Sequence, residues 1–373
     1  MSMAARHSSS PRSRAAVERA LAELRRGGGV VLVNGPSGAA TVVAAAECAR
    51  SVAGIMRAAG SVPVCAIPAS RAAALSLAAG AEGNVTLACR GEGEMAFDPE
   101  LARAIAGMKD DAALPGGTPL SPADGMQDAA VALVKMARLL PAALVARITS
   151  EPAAWAARED VPVLDLDDIR RYREQTDDAD ATLAAQAPVP LEGAEDAMVY
   201  AFRPADGGKE HLAIVIGNPA PDAPVLTRLH SECLTGDLLG SLRCDCGDQL
   251  RGAIQAIAAA GGGVLLYLAQ EGRGIGLVNK LRAYRLQDQG YDTIDANERL
   301  GFDADERVYR PAATILKALG FGKVRLLTNN PSKVEGLSAC GIDVAERVPH
   351  SFPANGHNES YLRTKAARAG HLL

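Results

Sequence analysis

Three closely spaced cysteines are the strongest chemical signal in the sequence. Cys233, Cys244 and Cys246 form a C-x10-C-x-C array that directly follows a His-Ser-Glu tripeptide. Three thiolates fill three corners of a zinc tetrahedron and leave the fourth open to water, which is typical of a catalytic site. Zinc in such a site lowers the pKa of its water and supplies a hydroxide nucleophile. The array therefore predicts a catalytic zinc, and a structural Cys3His site with His230 as fourth ligand is the alternative.

Two turns in the second half of the chain are candidate anion sites. Residues 270–276 (QEGRGIG) and 328–333 (TNNPSK) each lie between a predicted strand and a predicted helix. Backbone N–H groups at a helix N-terminus bind anions, and Thr328 and Lys333 could reach phosphate oxygens. Neither segment matches the Walker A pattern or G-x-G-x-x-G. Taken singly, each is also compatible with an ordinary capped turn.

A carboxylate and a guanidinium stand two residues apart in the segment 300–307 (LGFDADER). Asp305 could handle a proton at a phosphoryl centre while Arg307 matches the phosphate oxygens. A solvated surface loop would show the same spacing, so the pair alone leaves both interpretations open.

Alternating helices and strands must position these residues, and both halves of the chain show them. In the first half we predict helices at 15–28, 41–60 and 128–140, strands at 30–35, 63–69 and 142–148, and an irregular stretch at about 91–125. In the second half we predict strands at 197–204, 211–218, 264–270 and 323–328, and helices at 247–262, 278–290, 311–320 and from 329 onward. The pattern predicts a mixed α/β and α+β protein.

Length and composition set the outer limits. At ~100–200 residues per domain, 373 residues predict two domains. We place them at 15–173 and 198–373, after a disordered leader (1–14) and around an acidic linker (174–197) without periodicity. A net charge of -5 argues against a partner that is a nucleic acid or an anionic membrane. No apolar run reaches the length of about 18 residues that a membrane helix needs.

Seven cysteines, an odd number, fit reduced thiols rather than a disulfide framework. The N-terminal segment contains arginine and serine but no apolar stretch of the kind found in signal peptides. We therefore expect a cytoplasmic protein.

Four segments of the second half together resemble GTP cyclohydrolase II in order and spacing: 228–250, 270–297, 300–307 and 326–335. That family opens the imidazole ring of GTP and releases C8 as formate, together with pyrophosphate. Its product is 2,5-diamino-6-(5-phosphoribosylamino)pyrimidin-4(3H)-one, and the reaction is the first step of riboflavin biosynthesis. The resemblance implies a zinc-dependent hydrolase that uses GTP, with Mg²⁺ on the triphosphate, and that forms a homodimer.

The resemblance also implies roles for individual residues. Cys233, Cys244 and Cys246 would bind zinc, Asp305 would be the proton acceptor, and Tyr284 would assist the ring chemistry. The family role of Arg307 is that of a nucleophile at the α-phosphate; because a guanidinium stays protonated, this role is chemically unusual and we leave it open. Residues that would bind GTP are Arg228, Leu229, His230, Ser231, Glu232, Gln249, Glu271, Gly272, Arg273, Thr293, Thr328 and Lys333.

One motif position departs from the family pattern. The family usually has arginine directly before the QEGR motif, and this chain has Ala269. The change removes a positive charge near the expected ligand. A cyclohydrolase-like enzyme for a different nucleotide would explain this change. The other alternative is a non-catalytic nucleotide-sensing or complex-forming protein. The intact Tyr284, Asp305 and Arg307 favour an enzyme.

The first half resembles the framework of 3,4-dihydroxy-2-butanone 4-phosphate synthase over 15–173, but its active-site motifs are replaced. Where that family has an acidic metal-binding run, this chain has NGPSGAA at 34–40. Its GHTEA motif is GMQDA at 125–129, and its CEI strand is ARI at 146–148. Since Mg²⁺ needs oxygen ligands, we predict a domain without synthase activity that serves as a scaffold or dimerisation module. A new ligand-binding role is the alternative.

Overall fold

The computed structural model describes residues 11–35, 38–77, 82–91, 97–108, 119–176, 181–353 and 355–358, and also 363, 366 and 368. The chain folds into two compact units. The first comprises residues 1–176 and 282–304, and the second comprises 177–281 and 305–373. Residues 1–10 of the predicted leader lie outside the described residues, and residues 11–14 belong to the first helix. Pro36 and Ser37, in the segment that stands where the synthase family has its acidic run, also lie outside the described residues.

The helices and strands alternate along most of the chain. The α-helices are α1 Pro11–Arg25, α2 Ala53–Ala58, α3 Ala69–Ala74, α4 Pro99–Ile105, α5 Gly125–Met136, α6 Pro152–Arg158, α7 Leu166–Thr176, α8 Cys246–Ala259, α9 Leu277–Asp288, α10 Thr293–Arg299, α11 Arg310–Ala318 and α12 Pro331–Ala339. The strands are β1 Gly29–Asn34, β2 Ala39–Ala45, β3 Val64–Pro68, β4 Asn84–Ala88, β5 Ser121–Pro122, β6 Ala143–Arg147, β7 Val163–Asp165, β8 Ala181–Pro188, β9 Met198–Pro204, β10 His211–Gly217, β11 Val225–Ser231, β12 Gly262–Leu268, β13 Lys323–Leu327 and β14 Asp343–Val348.

The first unit is built on a seven-stranded sheet in the order β5-β4-β3-β6-β2-β1-β7. Its pairs are antiparallel except for β1 with β7. Helix α5 shows how a helix covers the sheet: its buried residues Met126, Ala129, Ala130, Leu133 and Val134 recur at helical spacing and form one apolar stripe. A capping box at the start of α5 satisfies the first backbone N–H groups.

The predicted helix at 41–60 is wrong over its first part. Residues 39–45 form β2, which pairs antiparallel with β1, so that Val43 lies opposite Val30. A 3-10 turn follows at Ala46–Cys48, and only Ala53–Ala58 is α-helical. The alanine run favours a helix by propensity, but pairing of the β-branched residues within the sheet overrides that preference.

The second unit contains another seven-stranded sheet, in the order β14-β13-β11-β12-β10-β9-β8. Strands β14, β13, β11 and β12 run parallel, and β10, β9 and β8 extend the sheet with antiparallel pairs. The carboxyl ends of neighbouring parallel strands meet at one edge, which is where ligands bind in such sheets. The segments after β11, β12 and β13 therefore converge there.

The predicted mixed α/β and α+β class is confirmed by these two sheets and their helices.

The predicted linker contains an element that periodicity does not reveal. Residues 181–188 form the edge strand β8, whose side chains are exposed after Ala181. A strand with almost no buried face lacks the apolar alternation by which strands are recognised. Along the sequence, the first unit gives way to the second between residues 176 and 177. Residues 282–304, predicted as part of the second domain, belong to the first unit.

Candidate active site

The three cysteines lie together at the carboxyl edge of the second sheet. Cys233 follows β11, a π-helical turn spans Leu234–Leu238, and Cys246 begins α8. The three Sγ atoms lie within 4.8 Å of one another, and those of Cys233 and Cys244 are 3.8 Å apart. Cys233 and Cys244 are buried. The structure therefore brings together the three ligands that the sequence predicts.

The cluster has the dimensions of a tetrahedral metal site. Two thiolates bound to one zinc at ~2.3 Å stand about 3.8 Å apart across a tetrahedral angle, which matches the separation of Cys233 and Cys244. Gly236 closes the site from the π-helical turn. A Cβ at this glycine would lie 2.8 Å from the Sγ of Cys244 and 3.1 Å from that of Cys233. The residues present fit a zinc ion.

Lys280 on α9 connects the cluster to the 270–276 turn. Its Nζ donates to the Sγ of Cys233 at 3.0 Å, to Oγ1 of Thr235 at 2.9 Å and to Oε1 of Glu271 at 2.8 Å. Hydrogen bonds from Cys244 and Cys246, and then that from Lys280, hold the pKa of the Cys233 thiol far below its usual range. This environment stabilises the thiolate that a metal requires. Sequence reasoning missed Lys280 and Thr235.

Glu271, a predicted GTP-binding residue, is buried and fully engaged with the protein. Besides Lys280 it accepts hydrogen bonds from the backbone N–H of Leu234 at 2.7 Å and of Gly272 at 3.1 Å. The carboxylate thus ties the π-helical turn of the cysteine cluster to the turn after β12.

His230 belongs to a buried network rather than to the cysteine cluster. Its Nε2 lies 3.0 Å from Oδ1 of Asp237, whose Oδ2 accepts from the hydroxyl of Tyr267 at 2.9 Å and from the N–H of Cys233 at 2.9 Å. Among the described residues, the metal-ligating group contains cysteines only, which disfavours the Cys3His alternative. Burial lowers the pKa of His230. Its buried Nδ1 has no hydrogen-bond partner among the described residues.

Arg228 is a buried cation in β11, three residues before the strand ends. It donates from one NH group to the carbonyl of Leu327 at 2.9 Å and from the other to Oε1 of Gln249. The Nε2 of Gln249 in turn donates to Oδ2 of Asp245 at 2.5 Å. Burial lowers the pKa of Arg228 to about 10, so it stays charged at neutral pH. Its buried Nε has no hydrogen-bond partner among the described residues.

The turn after β13 and the first residues of α12 lie next to β11. The N–H of Asn330 donates to Oγ1 of Thr328 at 3.0 Å, and Asn330 caps α12 through the N–H of Ser332. Lys333 is buried, and its Nζ donates to the carbonyl of Leu229 at 2.7 Å. Two predicted ligand residues therefore lie at the same sheet edge as the cysteines.

The 270–276 turn is folded against the segment that carries Asp305 and Arg307. Arg273 has φ 61° and Gly274 has φ 97°, both left-handed. A Cβ at Gly274 would lie 2.8 Å from the carbonyl oxygen of Glu306, so only glycine allows this approach. The N–H of Glu306 donates to the carbonyl of Arg273 at 3.0 Å.

Asp305 and Arg307 form a bidentate ion pair. The Nε of Arg307 donates at 2.8 Å and one NH group at 2.5 Å to the two carboxylate oxygens. The Arg307 side chain is 11% exposed and that of Asp305 is 34% exposed, so the pair lies at the surface with its guanidinium covered. Burial alone would raise the pKa of Asp305, but the hydrogen bonds and charge of Arg307 outweigh it and hold that pKa below its usual value.

The remaining predicted residues lie in different places. Ser231 ends β11 and pairs with Leu268, and Glu232 forms an ion pair with Lys209. Tyr284 on α9 and Thr293 on α10 lie in residues 282–304 and are described with the first unit, where Gln287 donates to Oγ1 of Thr293 at 3.4 Å.

Ala269, which stands where the resembling family usually has arginine, is buried at the end of β12. Its backbone N–H donates to Nδ1 of His211 at 3.0 Å. The position therefore supplies a backbone contact and no charge.

Comparison with known proteins gives concordant matches. The sequence profile described as GTP cyclohydrolase II matches residues 182–349. A GTP cyclohydrolase-2 of Azospirillum brasilense is 52% identical over 372 residues, covering 96% of this chain and 94% of the relative. A GTP cyclohydrolase-2 of Azotobacter vinelandii is 61% identical over 166 residues, covering 44% of this chain and 80% of its own. The riboflavin biosynthesis protein RibBA of Bacillus cereus is 46% identical over 259 residues, covering 67% of this chain and 64% of the relative.

A solved structure also aligns along most of the chain. The crystal structure of RibBX, a two domain 3,4-dihydroxy-2-butanone 4-phosphate synthase from A. baumannii, is 19% identical, with a TM-score of 0.36, and covers 90% of this chain and 99% of its own. A TM-score of this size carries no conclusion about the fold.

None of the helices in the described ranges has the length and hydrophobicity to cross a bilayer.

Proposed function

The chain belongs to the GTP cyclohydrolase II family, and from this premise we propose that it opens the imidazole ring of GTP by hydrolysis. The products would be formate, pyrophosphate and 2,5-diamino-6-(5-phosphoribosylamino)pyrimidin-4(3H)-one, in the first step of riboflavin biosynthesis. The observation that carries the proposal is the convergence of three thiols with buried cations at the carboxyl edge of the second sheet.

Cys233, Cys244 and Cys246 would hold the zinc ion, since their spacing suits a tetrahedral ion and Gly236 leaves room for it. When bound, zinc supplies a Lewis acid that lowers the pKa of water toward neutrality beside the reacting carbon. Lys280 stabilises the thiolate of Cys233 by direct donation.

Buried donors would orient the nucleotide. The unpartnered Nε of Arg228 and Nδ1 of His230 offer one donor and one site for a polar contact. Lys333, Thr328, Arg273 and Mg²⁺ would share the triphosphate, whose oxygens suit both cations and a hard metal ion. The remaining GTP-binding residues act as the family resemblance implies.

The ion pair of Asp305 and Arg307 would supply the group that handles protons. In the free protein Arg307 occupies both oxygens of Asp305. A phosphate that takes over the guanidinium N–H groups would free the carboxylate to accept a proton, because Arg307 cannot serve both anions in the same bidentate way. On this view Arg307 engages the α-phosphate during the reaction and thereby controls Asp305, while Tyr284 assists the ring chemistry.

The proposal extends to the rest of the chain. The first unit would have no synthase activity, because the carboxylates and histidine of the synthase motifs are replaced in the sequence. Incubating the protein and Mg²⁺ with the synthase family's substrate should yield no 3,4-dihydroxy-2-butanone 4-phosphate, and its formation would contradict this part. The protein would be cytoplasmic, consistent with seven free thiols. It would form a homodimer, as the family resemblance implies.

A pair of cysteine variants tests the proposed function. Cys244→Ser should lose both zinc and GTP turnover, because only two thiolates remain in the cluster. Cys340→Ser, in the same unit but outside the cluster, should keep both. Metal content by atomic emission and formate release from GTP are the measurements. A zinc-loaded wild-type protein that leaves GTP intact would refute the proposal.

A different nucleotide is the second candidate substrate, and Ala269 is the observation that favours it. The position provides a backbone contact to His211 and no cation. Turnover of a panel of purine and pyrimidine nucleotides at equal concentration separates the two candidates: GTP should have the highest kcat/KM, and a higher value for another nucleotide would replace it as substrate.

A further inference from the structure

A buried ion pair stands between the cysteine cluster and the turn that is proposed to bind GTP. Glu271 opens this turn, and Lys280 lies on α9. Their side chains are 8% and 10% exposed, and Oε1 of Glu271 lies 2.8 Å from Nζ of Lys280. Buried charges are tolerated only where they are paired and their hydrogen-bonding groups are satisfied. The other contacts of the two side chains therefore show what the pair holds in place.

Lys280 directs its ammonium group at the start of the metal site. An ammonium group has three N–H donors. Besides Glu271, its Nζ donates to Sγ of Cys233 at 3.0 Å and to Oγ1 of Thr235 at 2.9 Å. Each donor therefore has an acceptor, and two of the three acceptors belong to the segment that begins the cysteine cluster. These bonds fix the Cys233 thiol relative to α9.

The Glu271 carboxylate completes the link from the other side. Its Oε2 accepts from the backbone N–H of Leu234, the residue after Cys233, at 2.7 Å, and its Oε1 accepts from the N–H of Gly272 at 3.1 Å. One carboxylate thus holds both the neighbour of a metal ligand and the second residue of the turn. Because the protein occupies both oxygens, these bonds account for the acidic side chain without a contact to the nucleotide.

The turn that the pair supports contains two successive left-handed residues. Gly272 has φ 65° and Arg273 has φ 61°. For arginine this conformation is costly, and it persists only where neighbouring groups fix it. The stem of Lys280 is one constraint, since a Cβ at Gly272 would lie 3.1 Å from Cβ of Lys280. Glu271 is another, through the N–H of Gly272. The pair therefore also orients Arg273, a proposed phosphate ligand.

We propose that Glu271 and Lys280 are positioning residues that serve two sites at once: they hold the Cys233 thiol for zinc and the 271–273 turn for the phosphates of the nucleotide. The inference rests on the proposed function and redefines the part of Glu271, whose side chain holds the turn rather than contacting GTP. Removing a group that orients a metal ligand typically lowers metal affinity by about 10- to 100-fold. Loss of the pair should therefore weaken zinc binding, although neither residue is a ligand.

Glu271→Gln separates this role from direct binding of GTP. The amide keeps the shape of the side chain but loses the charge that pairs with Lys280. Zinc affinity, measured by chelator competition without nucleotide, should fall by roughly tenfold. Affinity of the zinc-loaded protein for inorganic triphosphate, measured by calorimetry, should fall in the same variant. A side chain that only contacts GTP would leave zinc affinity at the wild-type value, so wild-type affinity for zinc or for triphosphate would overturn the proposal.

Glu346→Gln is the matched control. Glu346 forms an exposed ion pair with Arg325 in the same unit, so the same substitution there removes a charge away from the cysteine cluster. This variant should keep the wild-type affinity for both zinc and triphosphate. An equal loss of zinc affinity in Glu346→Gln would show a general effect of charge and would contradict the positioning role.

The double variant Glu271→Gln/Lys280→Met guards against misfolding, because it leaves neither charge buried without a partner. It should bind zinc more weakly than the wild type by about tenfold or more, and wild-type zinc affinity in it would also overturn the proposal. None of these measurements requires turnover. Zinc-loaded wild-type protein that binds triphosphate but leaves GTP intact would refute the proposed function alone, whereas wild-type protein that does not bind triphosphate would refute the role assigned to the turn.

Discussion

Replacing Gly236 by alanine tests the metal site through its shape alone. The glycine faces all three cysteines, and its φ is not left-handed, so alanine can adopt the backbone. The added Cβ would lie 2.8 Å from Sγ of Cys244, 2.8 Å from Cβ of Cys246 and 3.1 Å from Sγ of Cys233. Ordinary contacts between such atoms begin near ~3.5 Å. The methyl group must therefore push apart the thiols that would hold zinc.

The size of the effect follows from the cost of overpacking. Inserting a methyl group into a filled site costs about 1–3 kcal/mol, and this cost falls on the arrangement of thiols that binds metal. We therefore expect zinc affinity to fall by about 5- to 150-fold, since ~1.4 kcal/mol corresponds to tenfold. GTP turnover at limiting zinc should fall in parallel.

Competitive titration of zinc against a chromogenic chelator at neutral pH measures this change. Gly322→Ala, in the same unit, is the matched control, because a Cβ at Gly322 would meet no atom within 4 Å. Any general effect of alanine on the unfolded chain is then common to both variants. Equal zinc affinities in Gly236→Ala and Gly322→Ala would refute the assignment of the cluster as the metal site.

Three further predictions concern single side chains. Arg307→Ala should lose GTP turnover while GTP still binds, as measured by formate release and calorimetry; lost binding would make Arg307 a clamp only. Asp237→Ala should lower the free energy of unfolding of the metal-free protein by about 1–3 kcal/mol in urea, because donors from His230, Tyr267 and Cys233 lose a buried acceptor; an unchanged midpoint would contradict the network. Burial, and then the charge of Arg228, lowers the pKa of His350 to about 4. The unfolded chain therefore takes up this proton first, so His350 should make stability fall as pH drops from about 6.5 to about 4, and His350→Gln should weaken that dependence in urea titrations.

Much of the candidate site can be predicted from the sequence because its residues follow strands. Cys233, the 270–276 turn and Thr328 come after β11, β12 and β13, and parallel strands bring their carboxyl ends to one edge. The three cysteines were predicted as one cluster from spacing alone, and the structure places them within 4.8 Å.

Other parts depend on packing that spacing does not encode. Lys280 and Asp237 lie inside the resembling segments, but their roles arise from the partners that folding brings to them. The 39–45 segment (AATVVAA) becomes a strand because β1 and β6 pair with it. Likewise, the attachment of the 282–304 segment to the first unit rests on Glu47 and Arg71, which lie far away in sequence.

The most direct test of the account measures formate and pyrophosphate separately after GTP is added to the protein with zinc and Mg²⁺. We expect both products to form in equal amounts, to depend on zinc, and to disappear in Cys244→Ser. Pyrophosphate without formate would show that the ring stays closed, and neither product from zinc-loaded protein would contradict the central claim that this chain is a GTP cyclohydrolase II.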